Sequence, residues 1–163
     1  MNSWEKSGFY KAYTPTKAGT KEPILAYTKK ENQLTWSQCE PYPGVLGLLA
    51  EDSVLVDSDE EIHSQNLRKV IEGEKLGALL TGRSGGRGYH ALLKNGGLIT
   101  KNHTHVMLAC GIMADIKIGS KNGLECLKFD GEERSIVYDA EEYEVSLHGD
   151  IITSYTQFAE VTN

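Results

Sequence analysis

The chain has 163 residues, of which 39% are hydrophobic and 25% are charged, and its formal net charge is -6. This size fits one compact domain with a buried core, and the composition is that of an ordinary globular protein. No apolar run approaches the roughly 20 residues of a membrane span. The three cysteines are odd in number and show no CxxC spacing, so they indicate neither a disulfide framework nor a zinc ribbon. The polar N-terminus lacks the apolar core of a secretory signal, so we expect a protein of the reducing cytoplasm without a membrane partner.

The net charge taken alone disfavours a nucleic-acid partner, but the charge is unevenly spread. Residues 81–128 carry seven Lys and Arg against two acids, whereas residues 129–163 carry one Arg against nine acids. Salt limits the reach of surface charges to about 10 Å, so a locally basic surface on an acidic protein can still bind phosphates. The acidic net charge therefore does not exclude a nucleic-acid partner.

The first 50 residues predict a small N-terminal unit with little regular structure. Residues 1–30 are rich in lysine, tyrosine and turn formers, which predicts an irregular lead-in with one strand over 23–28. Residues 35–38 predict a short helix capped by Thr35 or Ser37, because hydroxyl side chains bond to the free N–H groups of a first turn. Residues 44–49 are expected to form an apolar link into the next strand.

A strand-like run with two terminal carboxylates occupies residues 52–59, Asp-Ser-Val-Leu-Val-Asp-Ser-Asp. In a strand, residues i and i+2 point to the same face, so Asp57 and Asp59 are expected to lie side by side. Two like charges this close repel each other, and a divalent cation is the usual remedy. The pair therefore predicts a Mg2+ or Mn2+ site. Asp52 only begins the strand, and we leave it outside the site.

The hydrophobic period after Asp59 changes from two residues to about 3.6, which predicts a helix. Ser58 or Asp59 is expected to cap this helix, and Gly73 is expected to end it. Its apolar face is predicted to consist of Ile62, Leu67, Val70 and Ile71. The acidic pair would then lie at a strand-to-helix junction, exposed yet anchored.

A glycine-rich segment, Gly82-Arg83-Ser84-Gly85-Gly86-Arg87-Gly88, separates two strand-like runs at 76–81 and 89–93. Four glycines in seven residues allow a tight loop whose N–H groups point at an anion, with two arginines beside it. The segment is neither a Walker A loop nor a GxGxxG between a strand and a helix. A plain hairpin connection is the alternative interpretation, and the segment taken alone favours it.

Two further polar residues stand in apolar runs. His90 follows the glycine-rich segment, at a position where a lone histidine usually serves the core or a hairpin. Asp115 stands in a predicted strand over 112–118, where an ionised carboxylate needs a partner or a metal. A surface pair with Lys117, two residues along the same face, is the alternative.

The remaining segments predict structure rather than chemistry. His103-Thr104-His105 with Cys110 lacks a fourth ligand and a zinc-module spacing, so we expect a solvated turn. An Asp-Gly-containing loop between runs at 124–129 and 135–138 predicts a hairpin. The acidic tail has a weak strand-like pattern, formed by Tyr143, Val145, Leu147, Ile151 and Ile152.

These elements, taken in order, resemble the prim-pol domain of phage and plasmid replication proteins, within the archaeo-eukaryotic primase superfamily. The resemblance covers roughly residues 54–138. Val54-Leu55-Val56-Asp57-Ser58-Asp59 is similar to the first motif, hhhDxD, and Gly88-Tyr89-His90 to the second, a small residue, any residue and His. Met113-Ala114-Asp115-Ile116-Lys117 is similar to the third, and the 123–138 hairpin to the stretch that follows it.

One position departs from the family pattern. The second motif often begins with Ser, and here Gly88 stands in that place. Its backbone N–H can still donate to a phosphate, or Ser84 can supply the hydroxyl from the loop.

The resemblance implies a template-directed nucleotidyl transferase: a DNA primase and polymerase of phage or plasmid replication, in the cytoplasm of a bacterial host. Asp57, Asp59 and Asp115 would be its catalytic metal ligands for Mg2+ or Mn2+, and His90 would contact the triphosphate of the incoming NTP or dNTP. Further nucleotide-binding candidates are Arg83, Ser84, Arg87, Gly88 and Lys117. Partners would be a single-stranded DNA template and a fused or associated helicase of superfamily 3. On this interpretation we expect the chain that ends at Asn163 to be one domain of a longer primase-helicase.

The expected fold class is α/β, a mainly antiparallel sheet with flanking helices and the RRM-like catalytic core that the family implies. We divide the chain into an N-terminal subdomain (1–50), a catalytic core (51–140) and a C-terminal extension (141–163). Two rival functions stay open: another DxD metal enzyme, such as a nuclease or a sugar-nucleotide transferase, and a non-catalytic module that binds nucleic acid or nucleotides. The first rival would not need the glycine-rich segment or His90.

Overall fold

The computed structural model describes residues 2–143 and 145 and shows a mixed α/β fold of mostly antiparallel sheets with few helices. The described α-helices are α1 (Ser3–Ser7), α2 (Trp36–Cys39) and α3 (Glu61–Gly73). The strands are β1 (Tyr10–Pro15), β2 (Val45–Leu49), β3 (Ser53–Asp57), β4 (Leu79–Arg83), β5 (Arg87–Lys94), β6 (His103–Met107), β7 (Met113–Ile118), β8 (Leu124–Phe129), β9 (Glu132–Glu133) and β10 (Ser135–Asp139). Short 3-10 turns occupy Lys30–Asn32 and Gly119–Lys121. Within this part of the chain, no helix combines the length and apolarity needed to cross a membrane.

Two sheets organise the chain. The larger has six strands in the order β10-β4-β5-β3-β7-β6, and the smaller has four in the order β1-β2-β8-β9. Each neighbouring pair is antiparallel. Strand β3 is central, between β5 and β7, and α3 connects it to β4 on the far side of β5. Because β3 is antiparallel to both neighbours, its end lies beside the starts of β5 and β7.

Helix α3 covers one face of the six-stranded sheet. Leu67 and Ile71 are buried against strand residues such as Val54 and Val56, and Val70 is partly buried there, as predicted. Ile62 was wrongly predicted to join this face, because its side chain is 64% exposed. The buried position in the first turns belongs instead to Ser64, whose hydroxyl accepts a 2.6 Å hydrogen bond from the backbone N–H of Tyr89.

The predicted cap of α3 is also wrong. The N-cap residue is Glu60, which makes no side-chain capping bond. Ser58 instead accepts from the backbone N–H of Glu60 and so shapes the turn before the helix. The helix ends at Gly73, as predicted.

The opposite face of the six-stranded sheet shares a core with the four-stranded sheet. Leu55, Leu79 and Leu92 project from β3, β4 and β5 into this second core. They pack with an aromatic cluster of the N-terminal segment, which includes Trp4, Phe9, Tyr10, Tyr13 and Trp36. Since alternate residues of a strand share a face, Asp57 belongs to the same face as Leu55. The end of β3 therefore points its carboxylate toward the space between the two sheets.

The N-terminal segment is more regular than predicted. Tyr10–Pro15 forms β1, and the expected apolar link at 44–49 contains β2, all of whose residues are buried. The strand predicted over 23–28 is wrong: only a bridge between Thr16 and Pro23 forms, because β1 ends at Pro15 and offers no further pairing. The short helix α2 is confirmed, with Thr35 as its cap.

The C-terminal strands pair differently from the prediction. Strands β8 and β9 form a hairpin around Asp130 and Gly131, both in left-handed backbone conformations. Strand β10, which was predicted to pair with β8, pairs with β4 in the other sheet. The chain crosses between the sheets at Arg134, whose buried side chain bonds to β4.

The boundaries at 50 and 140 stay predictions, although β2 of the first segment pairs with β8 of the second. The C-terminal extension (141–163) lies mostly outside the described residues, as do Leu147, Ile151 and Ile152 of its predicted pattern. Tyr143 packs on Phe9, with ring centroids 4.6 Å apart.

Candidate metal and nucleotide site

Strand register brings three predicted site residues into one row. Asp57 is opposite His90 on β5 and opposite Asp115 on β7. Directly opposed residues of antiparallel strands have Cα atoms about 4.5–5.5 Å apart, and their side chains share a face. The central strand therefore sets an aspartate between a histidine and a second aspartate.

Asp59 joins this group from outside the sheet. Strand β3 ends at Asp57, so the prediction that a strand would set the two carboxylates side by side is wrong for Asp59. Asp59 lies in the bend that leads into α3. One oxygen each from Asp57, Asp59 and Asp115 nevertheless lies within 4.8 Å of the others. The three carboxylates form what we call the aspartate cluster.

The central carboxylate of the aspartate cluster has an unusual environment. Burial raises the pKa of Asp57, and the charges of Asp115 and Asp59 raise it further, while His90 and Lys117 act in the opposite direction. Its Oδ1 atom is buried and makes no hydrogen bond to any residue that the structure describes. A buried oxygen without a donor is costly unless something else satisfies it. A divalent cation bound by three carboxylate oxygens would supply that interaction.

The edge strand β6, which pairs with β7, forms the outer side of the aspartate cluster. Asp115 accepts a 2.9 Å hydrogen bond from the backbone N–H of His105, which has a left-handed φ of 53°. A pocket of about 10 Å³ opens there, about the space of one water-sized sphere. Its walls include Ser58, Asp59, Glu60, His105, Met113 and Asp115. The His103-Thr104-His105 segment is therefore part of the edge strand β6 and not the solvated turn predicted.

His90 lies between the aspartate cluster and the second sheet. Its Nε2 atom is 3.8 Å from Asp57 Oδ2, and its Nδ1 atom is 2.8 Å from Glu125 Oε2. The imidazole is therefore anchored on one nitrogen while the other faces the cluster. His90 therefore does more than the core or hairpin role that a lone histidine usually has, because its ring contacts the carboxylates of Asp57 and Glu125.

Glu125 is the main site residue that sequence reasoning missed. Its side chain, on β8, is fully buried, and its Oε1 atom accepts a 2.5 Å hydrogen bond from the Tyr10 hydroxyl. Alternation along β8 places Glu125 on the same face as the buried Leu127, so the period of two was a usable signal. A glutamate inside an apolar strand is otherwise read as an exposed residue.

Arg134 was also missed. This buried arginine donates from Nε to the Thr81 hydroxyl at 3.0 Å and from its guanidinium to the main-chain oxygens of Thr81 and Gly88. Its Nε lies 4.0 Å from Glu125 Oε2. Thr81 is opposite His90 in the β4–β5 pairing, so these contacts extend the polar row beyond the histidine.

The glycine-rich segment forms the β4–β5 hairpin, which confirms the plain hairpin interpretation. Its donors nevertheless bind carboxylates. Ser84 donates to Glu132 Oε1 from its hydroxyl at 2.8 Å and from its N–H at 3.3 Å, and the Gly88 N–H donates to Glu61 at 3.3 Å. Gly88 has a left-handed φ of 60°, and a Cβ there would lie 2.9 Å from Arg83 Cδ. Glycine therefore suits the position at which the family pattern often has serine.

The predicted site residues thus fall into two groups. Asp57, Asp59, Asp115 and His90 come together, and Lys117, opposite Leu55, is near enough to lower the pKa of Asp57. The hairpin residues Arg83, Ser84, Arg87 and Gly88 lie at the same end of the sheet, but the described bonds of Ser84 and Gly88 run to Glu132 and Glu61. Their contact with a nucleotide stays a prediction.

No protein-family model, no curated protein and no solved structure matches the chain. Functional inference therefore depends on the geometry of the site and on the motifs of the sequence.

Proposed function

We propose that the chain is a prim-pol domain that catalyses metal-dependent, template-directed nucleotidyl transfer from NTPs or dNTPs. The observation that carries the proposal is that Asp115, distant in sequence, meets Asp57 and Asp59 in one cluster beside His90. The histidine is held from its other nitrogen by Glu125, so the cluster combines three carboxylates with an oriented imidazole. Arg83 and Arg87, from the basic stretch 81–128, lie at this end of the sheet and suit a polyphosphate and a DNA backbone.

The sheet order supports the same proposal. The order β4-β5-β3-β7, with α3 crossing from β3 to β4, is the pairing expected of an RRM-like core. One part differs: between β5 and β7 the chain forms the edge strand β6 in place of a second crossover helix. The catalytic aspartates of the proposal lie on β3, just after β3, and on β7.

The chemistry assigned to these residues is positioning and charge stabilisation. Asp57, Asp59 and Asp115 would hold Mg2+ or Mn2+, which when bound stabilises charge on the attacking oxygen and on the phosphates. A 3'-hydroxyl releases its proton to solvent water, its oxygen forms a bond to the α-phosphorus of the bound triphosphate, and the bond from that phosphorus to the leaving pyrophosphate breaks. His90 and Lys117 would contact the phosphates, and the hairpin donors are further candidates.

Purified protein with a single-stranded DNA template, labelled NTPs or dNTPs and Mg2+ or Mn2+ tests the proposal. The wild type should synthesise or extend a primer, and Asp57→Ala combined with Asp59→Ala should abolish synthesis. Asp130→Asn is the matched control, because this exposed aspartate lies in a left-handed turn that asparagine tolerates. Equal synthesis by the double variant contradicts the proposal. Template degradation without synthesis indicates a nuclease, and binding without either reaction indicates a non-catalytic module.

A further inference from the structure

The buried carboxylate of Glu125 has no role in the proposed metal site. It comes from β8 in the four-stranded sheet, whereas His90 comes from β5 in the six-stranded sheet. The 2.8 Å contact between Glu125 Oε2 and His90 Nδ1 therefore joins the two sheets directly behind the aspartate cluster.

The surroundings of Glu125 favour its ionised form. Burial alone raises the pKa of this carboxyl, but the hydrogen bond and charge of His90, the charge of Arg134 and the Tyr10 hydroxyl together hold it below its usual range. An ionised carboxylate is an acceptor only. His90 must therefore present a proton on Nδ1 to make the 2.8 Å hydrogen bond. The Tyr10 hydroxyl uses the second oxygen, so the carboxylate is fixed from two sides.

We propose that Glu125 is the positioning residue of His90: it keeps a proton on Nδ1 and holds Nε2 toward the aspartate cluster. The part of this inference that concerns a triphosphate rests on the proposed function. The 2.8 Å bond from Nδ1 to Glu125 fixes the plane of the imidazole ring. Nε2 would then face a bound triphosphate in a fixed orientation.

A purely structural role for Glu125, as counter-ion of Arg134, fits the distances less well. Arg134 Nε is 4.0 Å from Glu125 Oε2, beyond hydrogen-bonding distance, and its guanidinium donates to Thr81 and Gly88 instead. The close partners of Glu125 are His90 and Tyr10. The two roles predict different effects of a Glu125 variant when His90 is removed. A counter-ion of Arg134 would still act without the histidine, whereas a positioning residue would not.

The wild-type protein provides the first test. Nitrogen-15 NMR of the labelled imidazoles distinguishes a protonated from an unprotonated Nδ1, with His90→Asn used to assign the signal. The inference predicts that Nδ1 of His90 is protonated in the free protein. A ring that carries its only proton on Nε2 overturns the inference, whichever ligand the protein binds. This measurement uses the wild type and so does not depend on the folding of a Glu125 variant.

The second test is a double-mutant cycle, with Mg2+ and a non-hydrolysable dNTP analogue as the probe. Glu125→Gln should weaken binding of the analogue about tenfold in the wild-type background and should cause no further loss in a His90→Ala background. Glu133→Gln, an exposed carboxylate on β9, is the control and should leave affinity unchanged. Equal losses in both backgrounds, or no loss in the first, overturn the inference. If the wild type does not bind the analogue, the proposed function fails, and the NMR result alone decides the role of Glu125.

Discussion

Asp57→Asn should stabilise the metal-free protein and destabilise the metal-loaded protein relative to the wild type. Oxygens of Asp57 and Asp115 lie within 4.8 Å of each other, and two unit charges at that distance repel by about 3.5 kcal/mol at an effective dielectric constant of 20. His90 and Lys117 offset part of this repulsion, but the pKa of Asp57 is still raised, so the unfavourable effects prevail. We expect Asp57→Asn to gain about 1–2 kcal/mol, which raises Tm by about 2–8 °C in a chain of this size.

The pH dependence of this gain follows from the direction of the shift. The folded state of the wild type holds the Asp57 proton more tightly than the unfolded chain, since its pKa is raised. Stability is therefore lost as pH rises from the unfolded to the folded pKa, and the loss is complete above both. The advantage of Asp57→Asn should be full at neutral pH and should vanish in acid, where the aspartate is protonated in both states.

Thermal melts with and without Mn2+ measure both halves of the prediction. At 100 times its Kd, Mn2+ should stabilise the wild type by about 2.7 kcal/mol, or about 5–11 °C, and should barely affect Asp57→Asn. The order of the two melting temperatures then reverses on addition of metal. Asp130→Asn should behave as the wild type in both conditions. A metal-free Asp57→Asn that melts below the wild type, or an equal Mn2+ shift in both proteins, refutes the reasoning.

Three further predictions concern Glu125, Gly119 and Glu132. The pKa of Glu125 is lowered, so its contribution to folding stability is present above the ordinary carboxyl pKa of 4.5 and is lost as pH falls through the folded pKa. Glu125→Gln should therefore lose less stability than the wild type on acidification, and an equal loss of stability in acid contradicts this. Gly119→Ala should lower the free energy of unfolding, measured in urea, by about 3 kcal/mol or more, because a Cβ there would lie 1.7 Å from a main-chain oxygen. The control Gly73→Ala, in α3 with open space around it, should not lower the stability of the protein. Glu132→Gln should release the Ser84 donors and raise the affinity of the dNTP analogue about twofold to fivefold, and unchanged affinity argues against an anion site at the hairpin.

Local patterns predicted the elements that carry the aspartates. The apolar run that ends at Asp57, the change of period after Asp59 and the isolated Asp115 correspond to β3, α3 and β7. Each of these signals is contained in a few neighbouring residues, so no tertiary information was needed. Ile62 shows the limit, because the helical period fits it although its side chain is 64% exposed and Ser64 takes the buried position in those turns.

The features that were missed depend on contacts between distant segments. Strand β10 pairs with β4 rather than with β8, and the Arg134 guanidinium just before it bonds to Thr81 and Gly88 of the β4–β5 hairpin. The role of Glu125 depends on His90 and Tyr10, which lie 35 and 115 residues away in sequence. Residue spacing in the sequence does not identify contacts between segments this far apart. A buried polar residue in an apolar strand is the signal that should prompt a search for them.

Incorporation of labelled dNTP on a primed single-stranded DNA template in Mn2+, by the wild type and by Asp115→Asn, tests the central claim most directly. Asp115 is 58 residues from Asp57 in the chain and joins it only through the register of β3 and β7. If the three aspartates form one catalytic metal site, the wild type extends the primer and Asp115→Asn is slower by roughly 100-fold or more. Extension at the wild-type rate by Asp115→Asn, or no extension by the wild type, would contradict the claim.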